Sequence, residues 1–150
     1  MSTTPKYTVM KNIDRNGRSP EDMMKLIVAN ILEMDSNLVL VKSEILNNDY
    51  YATLRVKGSN VGFKICSNSN YLSWNGCFKA DGSWVDGKYK NSRSYFWEGT
   101  IFTVGHYSIG NCYSGFFCYN NKYSYPYVYL CGSYGQFVHS TGEKETVVSN

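Results

Sequence analysis

Residues 38–58, LVLVKSEILNNDYYATLRVKG, decide the fold. The second half alternates. Tyr51, Thr53 and Arg55 share one parity, and Ala52, Leu54 and Val56 share the other. That is the period of a half-buried strand. The first half, LVLVKSEIL, is rich in strand formers and turns polar towards its end. Asn47, Asn48 and Asp49 lie between the halves as a turn signal, so the whole stretch is expected to fold as a hairpin.

Upstream, residues 19–37 read SPEDMMKLIVANILEMDSN. Ser19 suits an N-cap, Pro20 suits the first helical position, and Glu21 and Asp22 suit the positive end of the helix dipole. The spacing from Ser19 to Asp22 is that of a capping box, with Asp in place of Glu. Met23, Leu26, Ile27, Ile31 and Met34 recur at helical spacing, which predicts an amphipathic helix ending near residues 35–37. Residues 1–18 are expected as an extended arm with a short strand around residues 7–10.

Downstream, VGFKICS alternates Val61, Phe63 and Ile65 against Gly62, Lys64 and Cys66. Asn75-Gly76, Asp81-Gly82 and Asp86-Gly87 read as turns, with Trp74, Phe78 and Trp84 on short segments around them. SYFWEGTIFTVGHYS, residues 94–108, reads as one or two strands with a bulge at Gly99 or Gly105. Residues 142–150 are a polar tail. The expectation is one α+β domain, mostly β, over residues 19–141. In it an N-terminal amphipathic helix packs on an antiparallel β-sandwich or barrel-like sheet.

The chain has 150 residues, enough to bury a core without metals or disulfides. Aromatic residues make up 16% against 18% charged, which rules out wholesale disorder and favours strands. The net charge of +3 is a weak excess, and the basic run KYKNSR (88–93) reads as a solvated hairpin end. No specific nucleic-acid binding is therefore expected. No apolar run is long enough to span a membrane, and the N-terminus lacks an apolar signal core. The five cysteines, Cys66, Cys77, Cys112, Cys118 and Cys131, include no C-x-x-C pair, which points to buried reduced thiols.

Catalytic patterns are sparse. The glycines open no helix, and neither G-K-[ST] nor G-x-S-x-G occurs. DGSWVDGK fails the calcium-loop pattern. No metal or other cofactor is expected. The two histidines stand in His106-Tyr107-Ser108 and His139-Ser140-Thr141. Paired H-x-[ST] motifs are those of two-histidine phosphoesterases, where one imidazole is base and the other acid on a phosphodiester. Two ordinary sheet histidines are the plainer reading.

Residues 113–130, YSGFFCYNNKYSYPYVYL, hold six tyrosines and two phenylalanines in eighteen positions. Such rings suit a sugar-binding face, a base-stacking platform or an assembly surface. Pro126 forces Tyr125 extended and belongs on an edge strand or at a strand start. The segment GFFCYNNKYSYPYVYLCGS (115–133) resembles the hallmark of a family of tailed-bacteriophage and prophage virion proteins. That hallmark reads GFF…Y-P-Y-P…G-G and follows a strand similar to FTVGHYS. Gly115, Phe116, Phe117, Tyr125, Pro126, Tyr127 and Gly132 match it, whereas Val128 replaces the second proline and Ser133 the second glycine. The resemblance spans roughly residues 50–139.

The resemblance implies a non-enzymatic structural subunit of the tail, baseplate or neck, assembled in the host cytoplasm and residing in the virion. Its partners would be copies of itself in a symmetric ring and other virion proteins. The expected interface residues are Phe116, Phe117, Tyr123, Tyr125, Pro126, Tyr127 and Tyr129. The alternatives are a carbohydrate-binding module for host surface glycans and the phosphoesterase using His106 and His139.

Overall fold

The computed structural model describes residues 5–58, 60, 62–78, 83–86, 93–109, 113–120, 127–132, 136–139 and 144–146. The backbone alone is described at 5–10, 68, 74, 77, 85, 86, 107–109, 113–117, 119 and beyond 120. The protein is α+β and mostly β, with one helix among the described residues packed against antiparallel sheets.

The expected arm is a strand. β1 (Pro5–Asp14) pairs antiparallel along β8 (Ile101–Ile109). The turn at Asn16 and Gly17 uses φ of 51° and 77°, conformations that Asn and Gly tolerate best. Helix α1 (Pro20–Met34) starts where the sequence indicates: Ser19 Oγ accepts the Asp22 backbone N–H at 3.2 Å, and Pro20 opens the helix. Its buried face is Met23, Met24, Ile27, Val28 and Ile31. This differs from the expected stripe, because Leu26 and Met34 are only half-buried. The helix beds between two sheets, so its apolar arc is wider and rotated from the single line that periodicity suggests.

The predicted hairpin forms. β2 (Leu38–Leu46) and β3 (Asp49–Val56) pair antiparallel around a two-residue loop, Asn47-Asn48, with φ of 53° and 69°. Both central residues at positive φ mark a turn whose twist matches the strands. β4 (Gly62–Asn68), β5 (Tyr71–Phe78) and β6 (Trp84–Asp86) continue this central sheet in the order β2-β3-β4-β5-β6. β7 (Arg93–Tyr95) also pairs with β5, beyond the end of β6. Asn75-Gly76 is not the turn that its sequence suggests. It lies inside β5 at a register shift against Lys64 and Ile65, with Gly76 at φ 152°, so the pair serves a bulge.

The terminal sheet has the order β1-β8-β9-β10-β11-β12, adding β9 (Tyr113–Asn120), β10 (Tyr127–Gly132), β11 (Gln136–His139) and β12 (Lys144–Thr146). Among the described residues, neither sheet closes into a barrel. Helix α1 contacts β2, β3 and β4 of the central sheet and β8 of the terminal one. The core between them is fully buried: Met23, Met24, Ile27, Leu54, Phe63, Ile65, Leu72 and Phe102, with Phe96 at their edge. Each such side chain contributes about 1.5–3 kcal/mol by leaving water.

Polar contacts join the sheets. Cys118 Sγ lies 3.2 Å from Ser94 Oγ, and Asn120 Nδ2 donates to Tyr95 O and Thr100 Oγ1, both at 2.8 Å. Asn120 is almost fully buried, so these bonds satisfy an amide that would otherwise be costly. No helix among the described residues is long and apolar enough to cross a membrane.

Candidate functional site

Strand alternation divides the central sheet into two faces. Ala52, Leu54, Phe63, Ile65, Leu72 and Ser94 point to the core and are buried. The other parity carries Tyr51, Thr53 and Arg55 on β3, Lys64 and Cys66 on β4, and Tyr71, Ser73 and Phe78 on β5. Trp84 on β6 and Arg93 and Tyr95 on β7 complete it. Apart from Cys66 and Ser73, these side chains are partly or fully solvent-exposed.

Register aligns them in rows. Tyr51, Cys66, Ser73 and Arg93 form one row across four strands, and Asn68, Tyr71 and Tyr95 form the next. Arg55, Gly62, Phe78 and Trp84 form a third. In and between these rows, rings and cations interleave. Lys64 Nζ lies 5.7 Å from the centre of the Tyr51 ring and 5.1 Å from that of Trp84. The Arg93 guanidinium lies 4.6 Å over Tyr71. Tyr71 meets Tyr95 edge-on at 5.4 Å, and Tyr95 lies 4.5 Å from Trp97. Phe78 and Trp84 are 6.5 Å apart. Each cation over a ring is attracted by the ring quadrupole.

The surroundings set the charge states. Burial pushes the Cys66 thiol above its ordinary value, and the Ser73 hydroxyl at 3.1 Å opposes this only in part. Cys66 is thus a neutral thiol filling space beneath the face. Burial, then the neighbouring Cys66, Asp49 and Glu44, push the Tyr51 phenol up, so it stays neutral. The Arg93 guanidinium is pushed up by its hydrogen bond with the Tyr95 side chain and by Tyr71. Arg55 Nε is buried and has no hydrogen-bond partner among the described residues.

The residues singled out from sequence lie elsewhere. Phe116 and Phe117 stand in β9, and Tyr127 and Tyr129 in β10, with Phe116 opposite Tyr129 and Phe117 opposite Val128. β10 is flanked by β9 and β11, so it is an interior strand beginning immediately after Pro126. Tyr123, Tyr125 and Pro126 fall outside the described residues. His106, on β8, is opposite Phe116, whereas His139, on β11, is opposite Tyr127. Three strand spacings separate the histidine positions, roughly 14 Å of backbone. The His106 ring pairs with Asp35, just past the end of α1, at 3.3 Å.

An open cleft of about 660 Å³ lies where β1, α1 and the turn at residues 98–100 meet. Its guanidinium groups are engaged. Arg15 donates to Arg18 O, Asn70 Oδ1 and Phe96 O, and Arg18 donates to Asp14 O and Arg15 O. Glu98 accepts from the Gly17 N–H at 2.8 Å. These bonds pin the β1–α1 turn to the central sheet.

The alternation of Tyr51, Thr53 and Arg55, and of Lys64 and Cys66, was visible in sequence. The partnership of these residues with Tyr71, Phe78, Trp84, Arg93, Tyr95 and Trp97 depends on register across five strands. Compared with protein-family models, curated proteins and solved structures, the chain matches none.

Proposed function

We propose that the protein is a non-enzymatic assembly subunit, a structural component of a tailed-phage particle, and that it binds neighbours through the outer face of its central sheet. The observation carrying this reading is the cover that its own cations give the rings: Lys64 over Tyr51 and Trp84, and Arg93 over Tyr71. Trp, Tyr and Arg are the side chains that dominate protein–protein binding energy. Rings already capped by cations present edges, stems and charge, which suit an apolar-and-acidic protein surface. The virion assignment is supported by the resemblance at Gly115, Phe116, Phe117, Tyr125, Pro126, Tyr127 and Gly132. β10 lies in the interior of the terminal sheet, and the central-sheet face is proposed alongside the β9–β10 aromatics rather than in their place.

A second reading has one observation in its favour. Trp84 is 42% exposed, and an exposed indole can stack on the apolar face of a sugar. This would make the face a glycan-binding platform, at the cost of displacing Lys64.

The test is a complementation assay with Tyr71→Ser/Arg93→Ser. The assembly reading expects a folded protein that is no longer incorporated into particles. Normal incorporation of the variant would remove the face from the account. Specific retention on a glycan array, lost in Trp84→Ala, would favour the second reading.

A further inference from the structure

We propose that β2 is a self-pairing edge, through which two copies of the chain join antiparallel about Ser43. β2 ends the central sheet: β3 pairs with one side, and no strand among the described residues pairs with the other. It is nine residues long and exposed along most of its length. Leu40, Val41, Ile45 and Leu46 are 40%, 51%, 54% and 48% exposed, and they are four of the six exposed large hydrophobics among the described residues. A long apolar edge is a template for strand addition.

The sequence of this edge selects its occupant. Residues 40–46 read Leu-Val-Lys-Ser-Glu-Ile-Leu, an apolar pair, a cation, a centre, an anion and an apolar pair. Reversed against itself about Ser43, the strand sets Lys42 opposite Glu44 of the second copy, twice. Leu40 and Val41 then meet Ile45 and Leu46. The register shift at Val41 decides which aliphatic meets which, but each is met by another aliphatic. Centring on Lys42 or on Glu44 instead sets like charges opposite each other. Centring one half-step away sets Val41 against Glu44. A parallel in-register pair stacks Lys42 on Lys42. Opposite charges across a strand pair stabilise it and like charges oppose it.

Lysine on an edge ordinarily guards against pairing. Here Lys42 Nζ lies 3.0 Å from Glu44 Oε2 on the same strand, so the guard is already neutralised and needs only to exchange its partner. The contact is isologous and closes as a two-fold dimer. Because that axis stands perpendicular to the sheet, it lays the two ring-and-cation faces side by side. The inference does not depend on the virion reading.

The test is sedimentation velocity on the full chain at high micromolar concentration, with folding checked by circular dichroism. Wild type is expected to dimerise. Lys42→Glu and Glu44→Lys should each raise the dissociation constant about tenfold. The double variant Lys42→Glu/Glu44→Lys should recover it, and an equimolar mixture of the two single variants should form a heterodimer. A second variant is independent of charge. Ser43 lies opposite itself, where facing Cα atoms sit at about 4.5–5.5 Å, within disulfide reach. Ser43→Cys should give a covalent dimer on mild oxidation, whereas a control Glu33→Cys on the exposed side of α1 should not. A monomeric wild type, dimers indifferent to both charge reversals, or no Ser43→Cys cross-link would each overturn the proposal. A partner from another protein binding this edge while the chain stays monomeric would do so as well.

Discussion

His106 Nε2 lies 3.3 Å from Asp35 Oδ2, and the two side chains are 16% and 3% exposed. Asp35 is the residue at which three parts of the fold meet. Its backbone N–H closes α1 on Ile31 O, its Oδ1 accepts from the Asn37 N–H at 3.0 Å, and its carbonyl accepts from Leu38 N at the start of β2. His106 adds β8, opposite the β1 bulge at Thr8 and Val9. One residue therefore ties the helix end to both sheets, through its carboxylate to β8 and its carbonyl to β2. Asp35→Ala is expected to lower stability by about 1–3 kcal/mol, because it removes the acceptor of the part-buried Asn37 N–H and the carboxylate facing His106. Asp35→Asn, which keeps an acceptor for Asn37, should cost less. Urea denaturation at neutral pH measures both.

Gly62 is needed for want of a side chain. A Cβ there would run into the Phe78 ring and the Leu54 carbonyl oxygen. Gly62→Ala is expected to cost about 1–3 kcal/mol. Adding Phe78→Ala should recover part of the loss but not all, since the Leu54 carbonyl is backbone. A double-mutant cycle in guanidinium reads the coupling.

The Cys66 thiol is raised by burial, and its folded form therefore holds its proton longer than the unfolded chain does. Below the unfolded value of about 8.5, both states are protonated and this group adds no pH dependence. Above it, the unfolded chain ionises first, so stability falls as pH rises towards the folded value. Native alkylation at mildly alkaline pH should leave Cys66 and the buried Cys118 unmodified, and denaturant should expose both. Peptide mapping by mass spectrometry reads this directly.

Met24 separates the observed helix face from the one inferred from periodicity. It is fully buried, whereas Leu26 is half-buried and borders the open cleft. Met24→Ala should cost about 2–4 kcal/mol and Leu26→Ala distinctly less. Thermal unfolding of the two variants distinguishes them.

These residues also show how far the sequence could be read. The start of α1 was legible because its signals are local: Ser19, Pro20, Glu21 and Asp22 act within one turn. The β2–β3 hairpin was legible for the same reason, through Asn47 and Asn48. Asn75-Gly76 carries the same local signal, yet it serves a bulge, because the pairing of β5 with β4 continues through it. Met24 and Val28 were missed because a helix wedged between two sheets buries a wider arc than one stripe. The ring-and-cation face was half legible, in the parities of β3 and β4. Its remainder required the register of β5, β6 and β7, which no local pattern carries. The Asp35–His106 pair joins distant segments and left no trace in either neighbourhood.

The central claim is that this chain is built into a particle. The direct measurement is quantitative peptide mass spectrometry of density-gradient-purified particles from the source culture, with copy number taken against the major capsid protein. The account predicts a fixed small stoichiometry that follows the particle band through the gradient. Absence from the particles, with the protein abundant in the infected cytosol, would contradict it.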